Sequence, residues 1–211
     1  MTDIYVIGAG GHGAVVAELA AMVGCCVVGF VDDNPALLGN QVLDWQVVGG
    51  IDSVPDGAAV ALGIGNNAVR YDLLRMASER NWRLPVMVHP SAAVSASAEL
   101  GEGTVLLAQT AVNARARIGR GCILNTGCSV DHDCVLGDCC HIAPGARLAG
   151  AVEVGEATLI GVGTSVLPCI RIGDRCTIGG GSVVTRAIPD GVTAYGNPAR
   201  VQKKQPGVRL T

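Results

Sequence analysis

From His89 to Val184 the chain can be written in sixes without a gap, and the last residue of every hexad is Val, Ile or Leu, from Val94 and Leu100 through to Ile178 and Val184. Period six fits neither an α-helix nor a simple alternating strand. It fits a short strand plus a turn, taken three times around a triangular coil of eighteen residues, with the core buried by stacking coil on coil. Roughly five coils at ~4.8 Å each make a prism about 25 Å long. Gly101, Gly119, Gly137, Gly155 and Gly173 recur every eighteen residues along one edge, and Asn113, Asn125 and Asp131 hold the same hexad position on other edges. These residue types tolerate positive φ, so the sharp corners are expected to use it there. A narrow interior of stacked aliphatics also accounts for an aromatic content of only 3%.

The same register assigns most of the nine cysteines. Cys122, Cys128, Cys134, Cys140 and Cys176 all stand two places before the aliphatic residue, in a slot otherwise held by Ala, Thr or Ser, with Val152 and Ile170 as larger exceptions. A buried cysteine behaves as a small hydrophobe, so this Cys-rich stretch reads as core packing rather than a zinc or redox centre. Cys25, Cys26, Cys139 and Cys169 fall outside that rule. No basic segment precedes the first apolar run and no stretch is apolar enough to span a bilayer, so thiols in a reducing cytoplasm are expected. A net charge of -3 gives no electrostatic reason to expect nucleic acid or an anionic membrane as partner.

Residues 1–88 have a different texture and read as a separate domain, with 89–211 as the repeat domain and its tail. Residues 3–7 form a strand expectation, followed by Gly8-Ala9-Gly10-Gly11-His12-Gly13 and an Ala-rich helix to about Val23. A second strand at 25–31 ends in Asp32-Asp33, and a third at 58–64 ends in Gly65-Asn66-Asn67 before a helix near 69–80. This is βαβ logic, with GxGxxG in its strand–loop–helix context and ligand groups at the strand ends. Under ninety residues supply about one mononucleotide-binding half, so a complete dinucleotide is disfavoured. Backbone N–H groups at a helix N-terminus still suit a phosphate.

His132 breaks an otherwise bland hexad as Asp131-His132-Asp133, at a corner where its side chain need not enter the core. A carboxylate neighbour can fix the tautomer of a histidine and raise its basicity. Adjacent strand residues point oppositely, so Asp133 reaches the ring only if the turn bends locally. His141 precedes the inward Ile142 and should point outward, toward a neighbouring subunit if the prism trimerises.

Together, GAGGHG at 8–13, DDNP at 32–35, GIGNN at 63–67, HPSA at 89–92, the NTG and DHD tripeptides of the repeat and a closing YGNPA resemble the sugar O- and N-acyltransferases. These include nucleotide-sugar 4-amino N-acetyltransferases and their sialic acid O-acetyltransferase relatives. The resemblance implies an α/β half-Rossmann βαβ module followed by a left-handed parallel β-helix of hexapeptide repeats. It implies an acetyl-CoA-dependent N-acetyltransferase, cytoplasmic and homotrimeric, with active sites between subunits and no metal. On this resemblance His132 matches the catalytic base and Asp133 its orienting acid, a position usually held by Glu. Asn125 matches a polar residue near the acceptor sugar, and His141 a histidine close to the thioester. Gly150 matches an N–H that stabilises the oxyanion, and Gly180 lies along the pantetheine path. Gly11, His12, Gly13, Asp32, Asp33, Gly65 and Asn66 fall where the nucleotide-sugar is held. Arg200, Lys203 and Lys204 could meet coenzyme phosphates, but a solvated basic tail is the preferred reading.

The rival within the class is O-acetylation of a sialic acid or related sugar, which requires a partner for the acceptor carboxylate and no diphosphate site. A zinc enzyme of carbonic anhydrase type on the same β-helix requires three converging histidines. His89 lies about two coils from His132 and His141. A non-catalytic scaffold leaves GAGGHG and His132 without a purpose. The residues do not decide between UDP and GDP.

Overall fold

The computed structural model describes residues 2–202; Lys203 and Lys204 lie outside the described residues. The amino-terminal module is a five-stranded sheet. Its strands are β1 (Asp3–Ile7), β2 (Cys26–Val31), β3 (Gln41–Val42), β4 (Trp45–Gly49) and β5 (Ala59–Leu62), in the order β3-β4-β2-β1-β5. All neighbours are parallel except the β3–β4 hairpin. Helix α1 (Gly11–Met22) follows β1, and helix α2 (Asn67–Glu79) follows β5. The β3–β4 hairpin was not expected from the sequence, because β4 buries only Val47 and carries no hydrophobic run.

The repeat domain is a parallel β-helix of two-residue strands in three sheets. Up to Val184 strand partners are eighteen residues apart; beyond it Thr193–Tyr195 pairs with Thr177–Ile178 sixteen residues away. One sheet turns Ala93, Ala111, Ser129, Arg147, Ser165 and Val183 outward, a second Glu99, Arg117, Val135, Glu153 and Arg171, and the third Val105, Ile123, His141, Leu159 and Thr177. Met87–Val88 already pairs with Val105–Leu106, so the third sheet begins just ahead of His89. From Leu106 to Val184 each sixth residue is buried, while Val94 and Leu100 on the first coil are half-buried. Each fully buried aliphatic of this kind contributes roughly 1.5–3 kcal/mol.

The slot two places earlier has a sharper rule than small size. Along one edge Thr104 Oγ1 donates to the Gly119 carbonyl (2.8 Å), Cys122 Sγ to Gly137 (3.2 Å), Cys140 Sγ to Gly155 (3.0 Å) and Thr158 Oγ1 to Gly173 (2.8 Å). Thiol and hydroxyl do the same work, each a short donor aimed at the turn of the next coil.

The stacked glycines correct the positive-φ expectation. Positive φ falls two residues later, at Gly103 (φ 70), Gly121 (φ 60), Asp133 (φ 60) and Cys139 (φ 57), and not at Gly101, Gly119, Asn113, Asn125 or Asp131. Gly119 is required because a Cβ there would lie 2.6 Å from the Gly137 carbonyl carbon of the next coil; at Gly155 it would lie 2.5 Å from the Asp174 nitrogen. Close stacking selects these glycines, not backbone handedness.

The module rests on the third sheet. Met87, Val105, Leu107 and Ile123 join the cluster formed by Ile4, Val6, Val16, Leu19 and Phe30. Helix α2 runs along one corner, where Cys139 is buried with Leu73, Leu74, Trp82 and Leu84. Cys139 is therefore a packing residue between the two domains, and burial pushes its thiol up to about 12. Cys25 packs partly against the α1 cluster, whereas Cys26 and Cys169 are exposed.

Candidate active site

One cluster sits at the corner between the first and second sheets. Asp131 Oδ1 accepts from the His132 N–H (2.8 Å) and from Asn113 Nδ2 (2.8 Å), which fixes the start of the turn. Asp133 then adopts φ 60, and this left-handed residue is the local bend that brings its Oδ2 to 2.8 Å from His132 Nδ1. The shorter acid makes the contact because the backbone turns toward the ring. Arg115 grips the same carboxylate with two bonds, Nε to Oδ1 at 2.7 Å and Nη2 to Oδ2 at 2.9 Å. The Arg115 guanidinium first, and then the His132 ring, hold the Asp133 carboxyl well below the usual carboxylate range.

A permanently ionised Asp133 keeps the proton of His132 on Nδ1 and leaves the Nε2 lone pair free, the arrangement a general base needs. Arg115 was not singled out from sequence, yet it stands one full turn before Asp133 and so directly below it in the stack. Likewise Gly150 stands one turn above His132, whose ring lies against it: a Cβ there would be 2.6 Å from both Cε1 and Nε2. Among the described residues the Gly150 N–H has no hydrogen-bond acceptor.

The second cluster lies where the module meets the third sheet. The His141 ring points outward, but it is covered by the chain's own module rather than left facing away from it. Asn125 Nδ2 is 3.1 Å from its Nε2, the Gly65 backbone lies close enough to raise the pKa of the ring, and the His12 ring centroid is 6.3 Å away. Burial, reinforced by the nearby Arg70 cation, lowers both histidines to about 4. Both are neutral at pH 7, where they exchange hydrogen bonds rather than carry charge. Nε2 of His12 is buried with no partner among the described residues.

The glycine loop divides by purpose. A Cβ at Gly13 would lie 1.9 Å from the Gly8 carbonyl oxygen, and one at Gly63 2.7 Å from the Gly13 Cα; these glycines pack helix against strand. Gly10, Gly11 and Gly65 face open space. Gly10 caps α1 without a side-chain bond, so the first-turn N–H groups of Gly11, His12 and Gly13 are available. Asp32 and Asp33 carry structural duties as well. Asp32 accepts from Ala9 N (3.0 Å) and Asn34 N (2.9 Å), and Asp33 from Ile51 N (2.8 Å). Asn66 caps α2 through Ala68 N and Val69 N.

A cleft of about 530 Å³ opens between the start of α2 and the coil, lined by Gly65, Asn66, Asn67, Tyr71, Leu159 and Arg175 among others. Asn125 and exposed Gly180 lie on the corner between the third and first sheets. Seven of the site residues expected from sequence fall into two groups. His12, Gly65, Asn125 and His141 come together, while His132, Asp133 and Gly150 occupy a different corner of the same chain. Among the described residues no three His, Cys, Asp or Glu side chains converge as a metal site requires.

Residues 3–77 match the family described as the PglD N-terminal domain, and residues 115–150 and 151–186 each match the bacterial transferase hexapeptide (six repeats). Over 113 residues the chain is 38% identical to UDP-N-acetylbacillosamine N-acetyltransferase of Bacillus subtilis (strain 168), a match spanning 51% of this chain and 52% of that protein. The fold is similar to the acetyltransferase domain of PglB from Neisseria gonorrhoeae FA1090 in complex with acetyl coenzyme A, with a TM-score of 0.88 and 39% identity over 95% of this chain and 98% of that one. It is equally similar to PerB from Caulobacter crescentus in complex with CoA and GDP-perosamine, with a TM-score of 0.88 and 40% identity over 96% and 98% of the two chains.

Proposed function

This chain belongs to the hexapeptide-repeat sugar acyltransferases that carry a PglD-type amino-terminal domain, and we propose that it transfers the acetyl group of acetyl-CoA to the 4-amino group of a nucleotide-linked 4-amino-4,6-dideoxy sugar. The observation that carries the reading is the Arg115–Asp133–His132 relay, which leaves a bare imidazole nitrogen against Gly150.

In this reading His132 Nε2 takes the proton as the amine attacks the thioester carbonyl. The C–N bond forms, the C–S bond breaks, and coenzyme A leaves as its thiol. The Gly150 N–H meets the developing oxyanion, where a donor of this kind is often worth the most in acyl transfer. The open first turn of α1, with Gly11, His12 and Gly13, takes the diphosphate, and Asp32 and Asp33 use their remaining lone pairs on the nucleoside. A ligand hydroxyl gives buried His12 Nε2 a partner. Asn125 and neutral His141 hold the acceptor end, so that placement supplies much of the rate. Gly180 leaves room for the pantetheine arm.

The working unit is a homotrimer. His132 and His141 stand on different parts of one chain, so a neighbouring copy brings one cluster to the other. Use of acetyl-CoA and nine free thiols support a cytoplasmic location. A panel of UDP- and GDP-linked 4-amino sugars with acetyl-CoA, followed by thiol release, tests the function. Turnover confined to free sialic acids would replace it with O-acetylation.

A further inference from the structure

Arg70 is the largest fully buried side chain of the described residues, 1% exposed, and it sits between the two domains. Its Nε donates to the Gly121 carbonyl (2.6 Å). Nη1 donates to the carbonyls of Ile64 (2.9 Å) and Gly65 (3.2 Å). Nη2 reaches Asn67 Oδ1 (2.8 Å) and the carbonyls of Cys139 (2.8 Å) and Cys140 (3.4 Å). All six acceptors are uncharged, so no ion pair accounts for the burial. Removing a cation from water costs several kcal/mol even after relaxation. An apolar side chain could join the surrounding Leu74–Cys139 cluster without that penalty. What an apolar side chain cannot supply is direction: the planar guanidinium sets the spacing of every carbonyl it grips.

Four of those carbonyls belong to two segments of the acceptor pocket. Ile64 and Gly65 form the loop at the end of β5, and Cys139 and Cys140 lead directly into His141. The Gly65 carbonyl accepts from Arg70, and the Gly65 backbone lies close enough to the His141 ring to raise its pKa. Gly65 has open space around it and no side chain with which to anchor its loop.

We propose that Arg70 is a positioning residue for the acceptor pocket, holding the Gly65 carbonyl and the strand bearing His141 at one fixed separation. The inference rests on the reading of Gly65 and His141 as acceptor-binding groups. The same cation disfavours protonation of His12 and His141 and so keeps both rings available as neutral partners.

The test compares the full-length wild type with Arg70→Lys, which keeps the charge but cannot fork, and with Arg70→Met. Arg70→Lys should fold with a lowered Tm and raise the acceptor KM about tenfold, with kcat at saturating acceptor within about threefold. In the free protein, imidazole ¹⁵N spectra should show a single His141 tautomer in the wild type and averaged tautomers in Arg70→Lys. Should Arg70→Met fold, it should deviate further in both respects. A lowered Tm with unchanged acceptor KM and an unchanged His141 spectrum would overturn the proposal and leave Arg70 as an interdomain bolt. If the wild type turned over no amino-sugar nucleotide, the functional reading would fail instead, and the His141 spectrum would still decide the role of Arg70.

Discussion

The coil and the module solve the same problem, burying a core while presenting polar groups, in opposite ways. In the coil one rule is repeated hexad after hexad, and the interior is complete without any corner side chain. His132, Asp133 and Arg115 are carried on that corner and add little to what holds the coil together. In the module nothing repeats. Asp32, Asp33 and Asn66, which we propose face the ligand, also tie down their own loops. A repeating scaffold separates chemistry from stability, whereas a small α/β module makes one residue serve both.

The largest test of that contrast is at the corner. His132→Asn should lower kcat by about 10²–10⁴-fold, the usual worth of a general base, and leave Tm essentially unchanged. Gly150→Ala presses on the same ring from the next coil and should act in the same direction. A substantial loss of Tm in either variant would break the contrast. In the module, Asp32→Ala should do two things at once. It should raise the acceptor KM and cost about 1–3 kcal/mol in denaturant unfolding, because two backbone N–H groups lose their acceptor. Loss of binding with full stability would contradict the dual role.

The next effect is set by pH. His12 and His141 are lowered to about 4 in the folded chain. Between about pH 6.5 and 4 the unfolded chain therefore binds more protons. Stability should be fully present above that window and decline as pH falls through it. The denaturant midpoint should follow this course, and a His12→Gln/His141→Gln double variant should flatten it. The smallest effect is expected in the coil. Cys122→Thr exchanges one short donor for another and should alter stability by less than about 1 kcal/mol, checked by chemical denaturation.

The sequence carried the coil almost whole, since register, inward residues and five cysteines follow from counting in sixes and eighteens. The same counting locates Arg115 beneath Asp133 and Gly150 above His132. The reason for the stacked glycines is not legible in the spacing, because glycine serves both a left-handed corner and a close stack, and spacing alone does not separate the two. The module was less legible. Its β3–β4 hairpin buries too little to leave a pattern, and Arg70 looks like a surface residue on an amphipathic helix. Three of its six acceptors, the carbonyls of Gly121, Cys139 and Cys140, arrive only by docking. His141 points outward as its register predicts, but what covers it comes from a loop some seventy-five residues earlier in the chain.

The eighteen-residue register makes the coil behave like a screw thread, in which height and bearing are written separately. Adding one whole turn above Val154 would lift everything beyond it by about 4.8 Å and return each corner to its old bearing. Adding a single hexad would swing the remainder by a third of a revolution and hand every corner's task to a different edge. Lengthening by complete turns thus offers a way to fit a longer donor arm against an unaltered reacting corner, one thread at a time.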